Sequence, residues 1–261
     1  MPENATVDTG IERHVMTVTL NHPERRNAFN NRMLVQITSA INEAACNPDV
    51  RAVIITGAGK AFCAGQDLEA FEAEAREGAQ AHILAQYKPL IVALRDIEKP
   101  VLAAVNGVAA GAGLSLALAC DLRIMADDAV LLAAFGRIGL VCDSGSSWFL
   151  ARHLGFGRAF EVAILGNPLT AARCVELGLV NRFVPSASLL SEARAWAEQL
   201  AQLPTLAVGW TKKSMNLALE TGLLETLEAE ARYQGQAVRT EDFAEGVKAF
   251  KEKRLPVFRG K

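Results

Sequence analysis

No two cysteines in this chain stand as a CxxC pair. Cys46, Cys63, Cys120, Cys142 and Cys174 are scattered and odd in number, which argues against both a disulfide framework and a zinc site. The four histidines, His14, His22, His82 and His153, are isolated, so a metal-free protein is expected. Positive charge is not in surplus. Lys and Arg number 27 against 29 Asp and Glu, a net charge of −2, and the pI is about 6.1. Nucleic acid is a poor candidate for the main partner, since domains that bind it carry a basic excess. MPENATVDTG has no basic stretch leading into an apolar one, so no secretory signal is read there and a cytoplasmic protein is expected. Neither a fixed-period repeat nor a low-complexity tract is evident.

What remains is an apolar globular composition. Hydrophobic residues make up 51% of the 261 positions and charged residues 21%, enough for one large core or a core with an appendage. Val15 to Leu20 alternates like a strand. Asn30 to Ala45 repeats its apolar residues at helical spacing and stops at Asn47-Pro48. Val53 to Thr56 predicts a buried strand, Ala79 to Asp96 a helix bent or restarted at Pro89, and Leu122 to Ala126 another strand. Ser147 to Leu154, Gly157 to Leu165 and Ala171 to Gly178 predict helices, and Leu179 to Val184 a strand. From Ser188 the pattern is nearly all helical, over 189–203, 206–220, 225–239 and 241–253. Strands alternate with helices early and helices run alone late, which predicts an α/β core over 1–195 and a helical segment over 196–261.

The most informative stretch is Pro100 to Asp121, PVLAAVNGVAAGAGLSLALACD. Length and apolarity alone would fit a membrane span, and Gly107 with Gly111 makes a GxxxG. The glycine-broken centre does not fit a uniform span. The stretch reads as a buried strand, a glycine turn and a buried helix. A glycine turn that opens a helix leaves backbone N–H groups without intrahelical partners. In an apolar pocket such donors can hold a developing negative charge, so a candidate active site lies here. Gly57-Ala58-Gly59-Lys60 is not a nucleotide loop: Phe62 stands where a dinucleotide fingerprint needs glycine, and Ala61 where a P-loop needs Ser or Thr.

Four stretches taken together resemble the enoyl-CoA hydratase/isomerase (crotonase) superfamily. They are Gly57 to Leu68 (GAGKAFCAGQDL), Asn106 to Gly113 (NGVAAGAG) with Ala117 to Asp121, Gly139 to Trp148 (GLVCDSGSSW), and Glu245 to Arg254 (EGVKAFKEKR). FCAGQDL, NGVAAGAG and GLVCDSGSSWFL are most similar to the subgroup that isomerises ring 1,2-epoxyphenylacetyl-CoA. The resemblance covers nearly the whole chain. It implies a crotonase-like ββα spiral core with a C-terminal helical oligomerisation segment, a homotrimer or dimer of trimers, and no cofactor beyond the coenzyme A of the thioester substrate.

The resemblance also implies roles for residues. The backbone N–H groups of Gln66 and Ala112 would bind the thioester oxygen as it becomes an enolate. Asp67 would brace its loop or cap the next helix. Family hydratases use two glutamates, but Ser115 and Phe135 stand in those places, so the two-glutamate route is absent. Asp143 falls where isomerases carry their single acidic base. Phe135, Ile138, Leu140, Val141 and Trp148 would form an apolar setting that raises its pKa. Asp143 or Ser144 could instead N-cap a helix through Trp148. Coenzyme A would meet Arg25 and the backbone at Ala64, with Phe250 and Lys253 reaching a neighbouring subunit's ligand. Cys142 replaces the family's proline, and Ser146 a glycine, in the loop bearing Asp143. The implied activity is isomerisation of an unsaturated or ring-epoxide acyl-CoA, with enoyl-CoA hydration and non-catalytic acyl-CoA binding as the alternatives.

Overall fold

A computed structural model describes residues 6–67, 69 and 78–261. Residues 1–5 and Leu68 of the first motif lie outside the described residues. The alternating run Val15–Leu20 is strand β2, its Val15, Met16, Val18 and Leu20 buried. It pairs antiparallel with the edge strand β1 (Val7–Glu12). From β2 the sheet continues in parallel through β3 (Ala52–Gly57), β5 (Val101–Val105), β7 (Leu122–Ala126) and β10 (Arg182–Val184). All five residues of β5 are buried, as an apolar run covered on both faces of a parallel sheet should be. A second sheet holds β4 (Ala61–Cys63), β6 (Val108–Ala110), β8 (Val130–Leu132) and β9 (Leu169–Thr170), with β8 and β9 antiparallel.

The chain therefore climbs in a spiral. Strand β3 gives way to β4, β5 to β6 and β7 to β8, each pair placing one strand in each sheet. Asn106, in the turn from β5 to β6, ties neighbouring coils together. Its Oδ1 accepts the Gly57 N–H at 3.0 Å and its Nδ2 donates to the Gly59 carbonyl at 3.1 Å. The expected α/β core is present, but the residues read as one glycine turn contain β6.

Helix α1 (Asn31–Cys46) is capped by Asn30, whose side chain accepts the Met33 N–H at 2.9 Å. Met33, Leu34, Ile37 and Ile41 of α1 are buried, the stripe seen in the sequence. The bend expected at Pro89 is a widened π-turn, Ile83–Tyr87, followed by α2 (Lys88–Asp96). After β6 comes α3 (Ala112–Ala119), buried on all sides. The Asp143 loop leads into α4 (Ser146–Leu154), followed by α5 (Phe156–Leu165) and α6 (Ala171–Glu176). Helices α7 (Leu189–Ala201), α8 (Thr205–Ala218), α9 (Leu223–Ala237) and α10 (Glu241–Glu252) complete the chain. The expected boundary at 195/196 falls inside α7, which packs against β3 and β5 through its buried alanines. No helix among the described residues is long and apolar enough to cross a membrane.

Candidate active site

The site begins where two loops touch. One follows β4 through Ala64, Gly65 and Gln66. The other runs from β6 through Gly111 into α3. A Cβ on Gly65 would stand 2.8 Å from the Ala110 carbonyl oxygen and 3.4 Å from the Ala112 nitrogen, and Gly65 has φ +94°. Only glycine permits both that conformation and that approach. Gly113 closes the contact from the other side: a Cβ there would lie 2.2 Å from the Cys63 carbonyl oxygen.

The two predicted donors lie beside the contact of the two loops, and each is left unused for a separate reason. Gln66 forms a parallel bridge with Phe29, in which the Phe29 N–H donates to the Gly65 carbonyl at 2.7 Å and the Asp67 N–H to the Phe29 carbonyl at 2.9 Å. Bridge geometry turns the N–H of Gln66 away from Phe29. Ala112 is the first residue of α3, so its N–H has no intrahelical acceptor. Gly111, with φ +52° and ψ −121°, sends its own N–H back to the Leu132 carbonyl at 2.9 Å. Ala112 thus sits at the positive end of the α3 dipole. Among the described residues neither donor has a protein acceptor. Asp67 braces the first loop, its Oδ1 accepting the Glu69 N–H at 3.1 Å.

Helix α3 ties the Asp143 loop to the Gly111 turn. The Ser115 hydroxyl shares its one proton between the Gly111 carbonyl at 3.3 Å and the Asp143 carbonyl at 3.2 Å. The loop then turns through two left-handed residues, Ser144 at φ 51° and Gly145 at φ 87°. Ser146, where the family has glycine, gives both its N–H (2.9 Å) and its hydroxyl (2.8 Å) to the same Asp143 carbonyl. The carbonyl is fully engaged, whereas the carboxylate Oδ1 is buried without a hydrogen-bond partner among the described residues. The capping alternative does not occur. Gly145 is the N-cap residue of α4, and no side chain caps it.

The apolar setting is narrower than the sequence suggests. Phe135 is buried, its ring 3.9 Å from where a Gly111 Cβ would be, and Trp148 is half-buried. Ile138, Leu140 and Val141 are exposed in the single chain, Val141 to 82%. Burial nonetheless raises the Asp143 carboxyl above its ordinary value of 3.8, held back in part by the Ser144 hydroxyl and the His82 ring. Cys142 is half-buried, and burial raises its thiol.

The raised carboxyl carries a pH signature. A carboxyl that holds its proton more tightly when folded supports folding fully below the unfolded value, and that support is lost as pH rises through the folded value. Asp143→Asn should therefore melt at a higher temperature than the parent at pH 7. The gap should close as the buffer is taken below pH 3.8. Melting scans across that range check the sign. A parent that melts higher than the variant at pH 7 contradicts it.

Of the residues expected to meet coenzyme A, two lie on adjoining segments. Arg25 ends a short turn, half-exposed and paired with Glu69 at 3.0 Å, and the Ala64 N–H donates to the Arg26 carbonyl at 3.0 Å. Buried Asn27 holds that turn with bonds to the Ala58 and Ala61 carbonyls at 2.9 and 2.8 Å. Phe250 and Lys253 are exposed at the end of α10, Phe250 to 86%. Among the described residues no hydrogen bond or ion pair joins them to the Asp143 loop or the Arg25 turn. Sequence reading missed Tyr87, whose hydroxyl donates to Gln66 Oε1, and His82, which faces Asp143 electrostatically. The one local signal was Pro89, which marks the bend that turns Tyr87 inward.

Comparison with known proteins gives the family and the fold. The family model described as enoyl-CoA hydratase/isomerase matches residues 10–261. The chain is 42% identical over 255 residues to a protein of Escherichia coli K12 named 1,2-epoxyphenylacetyl-CoA isomerase, covering 96% of this chain and 97% of that one. It is 40% identical to a Rhodobacter capsulatus protein named "probable enoyl-CoA hydratase", covering 98% of each. Among solved structures, an enoyl-CoA hydratase from Bacillus anthracis superposes with a TM-score of 0.93 at 31% identity, covering 98% of this chain and 100% of that one. The spiral of paired strands, the two glycine-shaped loops and a match over nearly the full length place this chain in the enoyl-CoA hydratase/isomerase family, with the crotonase fold.

Proposed function

We propose that the chain is an acyl-CoA isomerase acting on an unsaturated or ring-epoxide acyl-CoA. One observation carries the reading. Asp143 is the acid of the loop that Ser115 ties to the Gly111 turn, and the resemblance implies that Ser115 and Phe135 occupy the places where a hydratase of the family carries its two acids. The relative named 1,2-epoxyphenylacetyl-CoA isomerase supports it.

In the proposed reaction the Asp143 carboxylate takes a proton from the carbon α or γ to the thioester. The C–H electron pair moves into the conjugated system, and negative charge develops on the thioester oxygen. The N–H groups of Gln66 and Ala112 hold that oxygen in a site where water does not compete. The same carboxylic acid then returns the proton to the other carbon. No water is added and no other reactant is consumed. The raised carboxyl suits this task, because a stronger base forms a stronger bond to the proton it takes.

The coenzyme A moiety would lie along the Ala64 backbone and the Arg25 turn, with Phe250 and Lys253 serving a neighbouring subunit. A trimer or dimer of trimers fits the many exposed apolar side chains of the last two helices, among them Leu223, Leu224, Leu227, Phe243 and Phe250. The test is turnover of 3-enoyl-CoA, 2-enoyl-CoA and ring-epoxide phenylacetyl-CoA, with products separated by chromatography. Isomers are expected from the first and third. Efficient formation of 3-hydroxyacyl-CoA from 2-enoyl-CoA would make the protein a hydratase instead. Tight binding of all three without turnover would make it a non-catalytic acyl-CoA-binding protein.

A further inference from the structure

A second cavity lies at the far end of α3 from the two loops. Ala112, with its proposed oxyanion donor, opens that helix. Leu118, about 9 Å further along it, lines a cavity of about 420 Å³. Arg95 near the end of α2, Trp148 and Arg152 of α4, and α8 form the other walls. A cavity of this size takes one small molecule.

Its charges do not balance. Arg95, Arg123, Arg152 and Lys212 line it, and Asp121 is the one acid among the described residues that do. Asp121 accepts from Lys212 at 2.8 Å, and Arg95 lies 3.8 Å from its other oxygen. Arg123 is buried and gives its N–H groups to the carbonyls of Leu118, Cys120 and Leu179. Arg152 pairs with no carboxylate among the described residues. Its guanidinium carbon lies 3.7 Å from the centre of the Trp148 ring, and it donates to the Trp148 carbonyl at 3.5 Å and the Leu219 carbonyl at 3.2 Å. An arginine has five N–H donors, so Arg152 keeps donors for a further partner. The cations also act on one another, Arg95 against Arg123, Lys212 and His153. Gathering like charges in a partly desolvated place is unfavourable, and an anion among them reverses the sign. A ligand can reach them, because Arg152 is exposed and the Arg95 side chain is 23% exposed.

The rest of the wall is apolar, with Phe149, Val208 and Met215 among its residues. A bare inorganic anion would leave that surface in water, whereas an anion with a hydrocarbon body covers it.

We propose that this cavity binds a small carboxylate with an apolar body. Its carboxylate pairs with Arg152 in the field of Arg95 and Lys212, and its body lies against the apolar wall. The site is separate from the thioester site and does not depend on the isomerase reading.

Titration calorimetry on the full chain tests this with phenylacetate, hexanoate, phenylacetamide and inorganic phosphate. Both carboxylates should bind saturably. Phenylacetamide has the same shape without the charge and should bind at least about tenfold more weakly, the size of one lost charge-assisted hydrogen bond. Phosphate, which has no apolar body, should bind more weakly than either carboxylate. Arg152→Gln should weaken phenylacetate about tenfold, and Arg152→Lys should recover much of the loss. The residue is exposed, so both variants should fold. Phenylacetate should still bind when phenylacetyl-CoA saturates the thioester site. Displacement by phenylacetyl-CoA, equal binding of the amide or of phosphate, parental affinity in Arg152→Gln, or no saturable binding of either carboxylate would each overturn the inference. Failure of the acyl-CoA reading appears separately, as no binding of phenylacetyl-CoA, while Arg152→Gln still reports on the cavity.

Discussion

Asp143→Asn should lower kcat/KM for isomerisation about a thousandfold, within the 10²–10⁴ range that a positioned general base contributes. That is about 4 kcal/mol of transition-state stabilisation. The substitution keeps the shape of the side chain and leaves the loop intact. What holds the loop is the Asp143 carbonyl, bonded by Ser115 and by both groups of Ser146, and that carbonyl is unchanged. Thioester binding should stay close to the parent's, so the loss should fall on kcat. The parent's kcat/KM should rise with pH through the raised carboxyl value, because only the carboxylate can take the proton. Full activity in Asp143→Asn would remove Asp143 as the base and require another acid at the junction.

Gly113→Ala should be nearly as damaging without touching any side chain of the site. The added methyl would stand 2.2 Å from the Cys63 carbonyl oxygen and 2.9 Å from both the Cys63 carbonyl carbon and Cβ. Backbone cannot yield as the tip of a side chain can. Cys63 is the last residue of β4, and Gln66 lies just beyond it. Ala112 immediately precedes Gly113. Pushing Cys63 and Gly113 apart therefore separates the two proposed oxyanion donors. Loss of one such donor lowers kcat by about 10²–10³, and a misplacement of about 1 Å is enough for a hundredfold loss. Overpacking of this kind also costs about 1–3 kcal/mol of stability, so the variant should melt lower but remain folded. Steady-state kinetics beside a melting curve separates the two effects. A folded variant with parental kcat would show that the approach of the two loops does not set the oxyanion site.

Long elements with a clear period were legible in the sequence. Helix α1 declared itself through Met33, Leu34, Ile37 and Ile41. The C-terminal helices stood within a few residues of their predicted ends. The short strands of the second sheet did not declare themselves. Strands β4, β6 and β8 have three residues each, too few to show an alternation, and β6 hides among alanines and glycines. Edge strand β1 escaped because four of its six residues are exposed and it carries little apolar pattern. The setting of Asp143 was partly misjudged for a related reason. Neighbours in sequence such as Leu140 and Val141 are exposed, while His82, distant in the chain, acts on the carboxyl.

The sequence alone determined the α/β class, the order of motifs and the chemistry on offer: a carboxyl at 143, serine and phenylalanine where acids might stand, and glycines where backbones must meet. These are local properties, written in residue type and spacing. Only the tertiary structure decided what those residues face. It turned Ser115 from a missing acid into a brace on the Asp143 carbonyl, and it left the Asp143 side chain out of the cap of α4. It also joined Tyr87 to Gln66 across a loop. The physical reason is that burial and hydrogen-bond partnership are set by closely packed segments from distant coils of the spiral. No pattern along one coil records which atoms the next will bring.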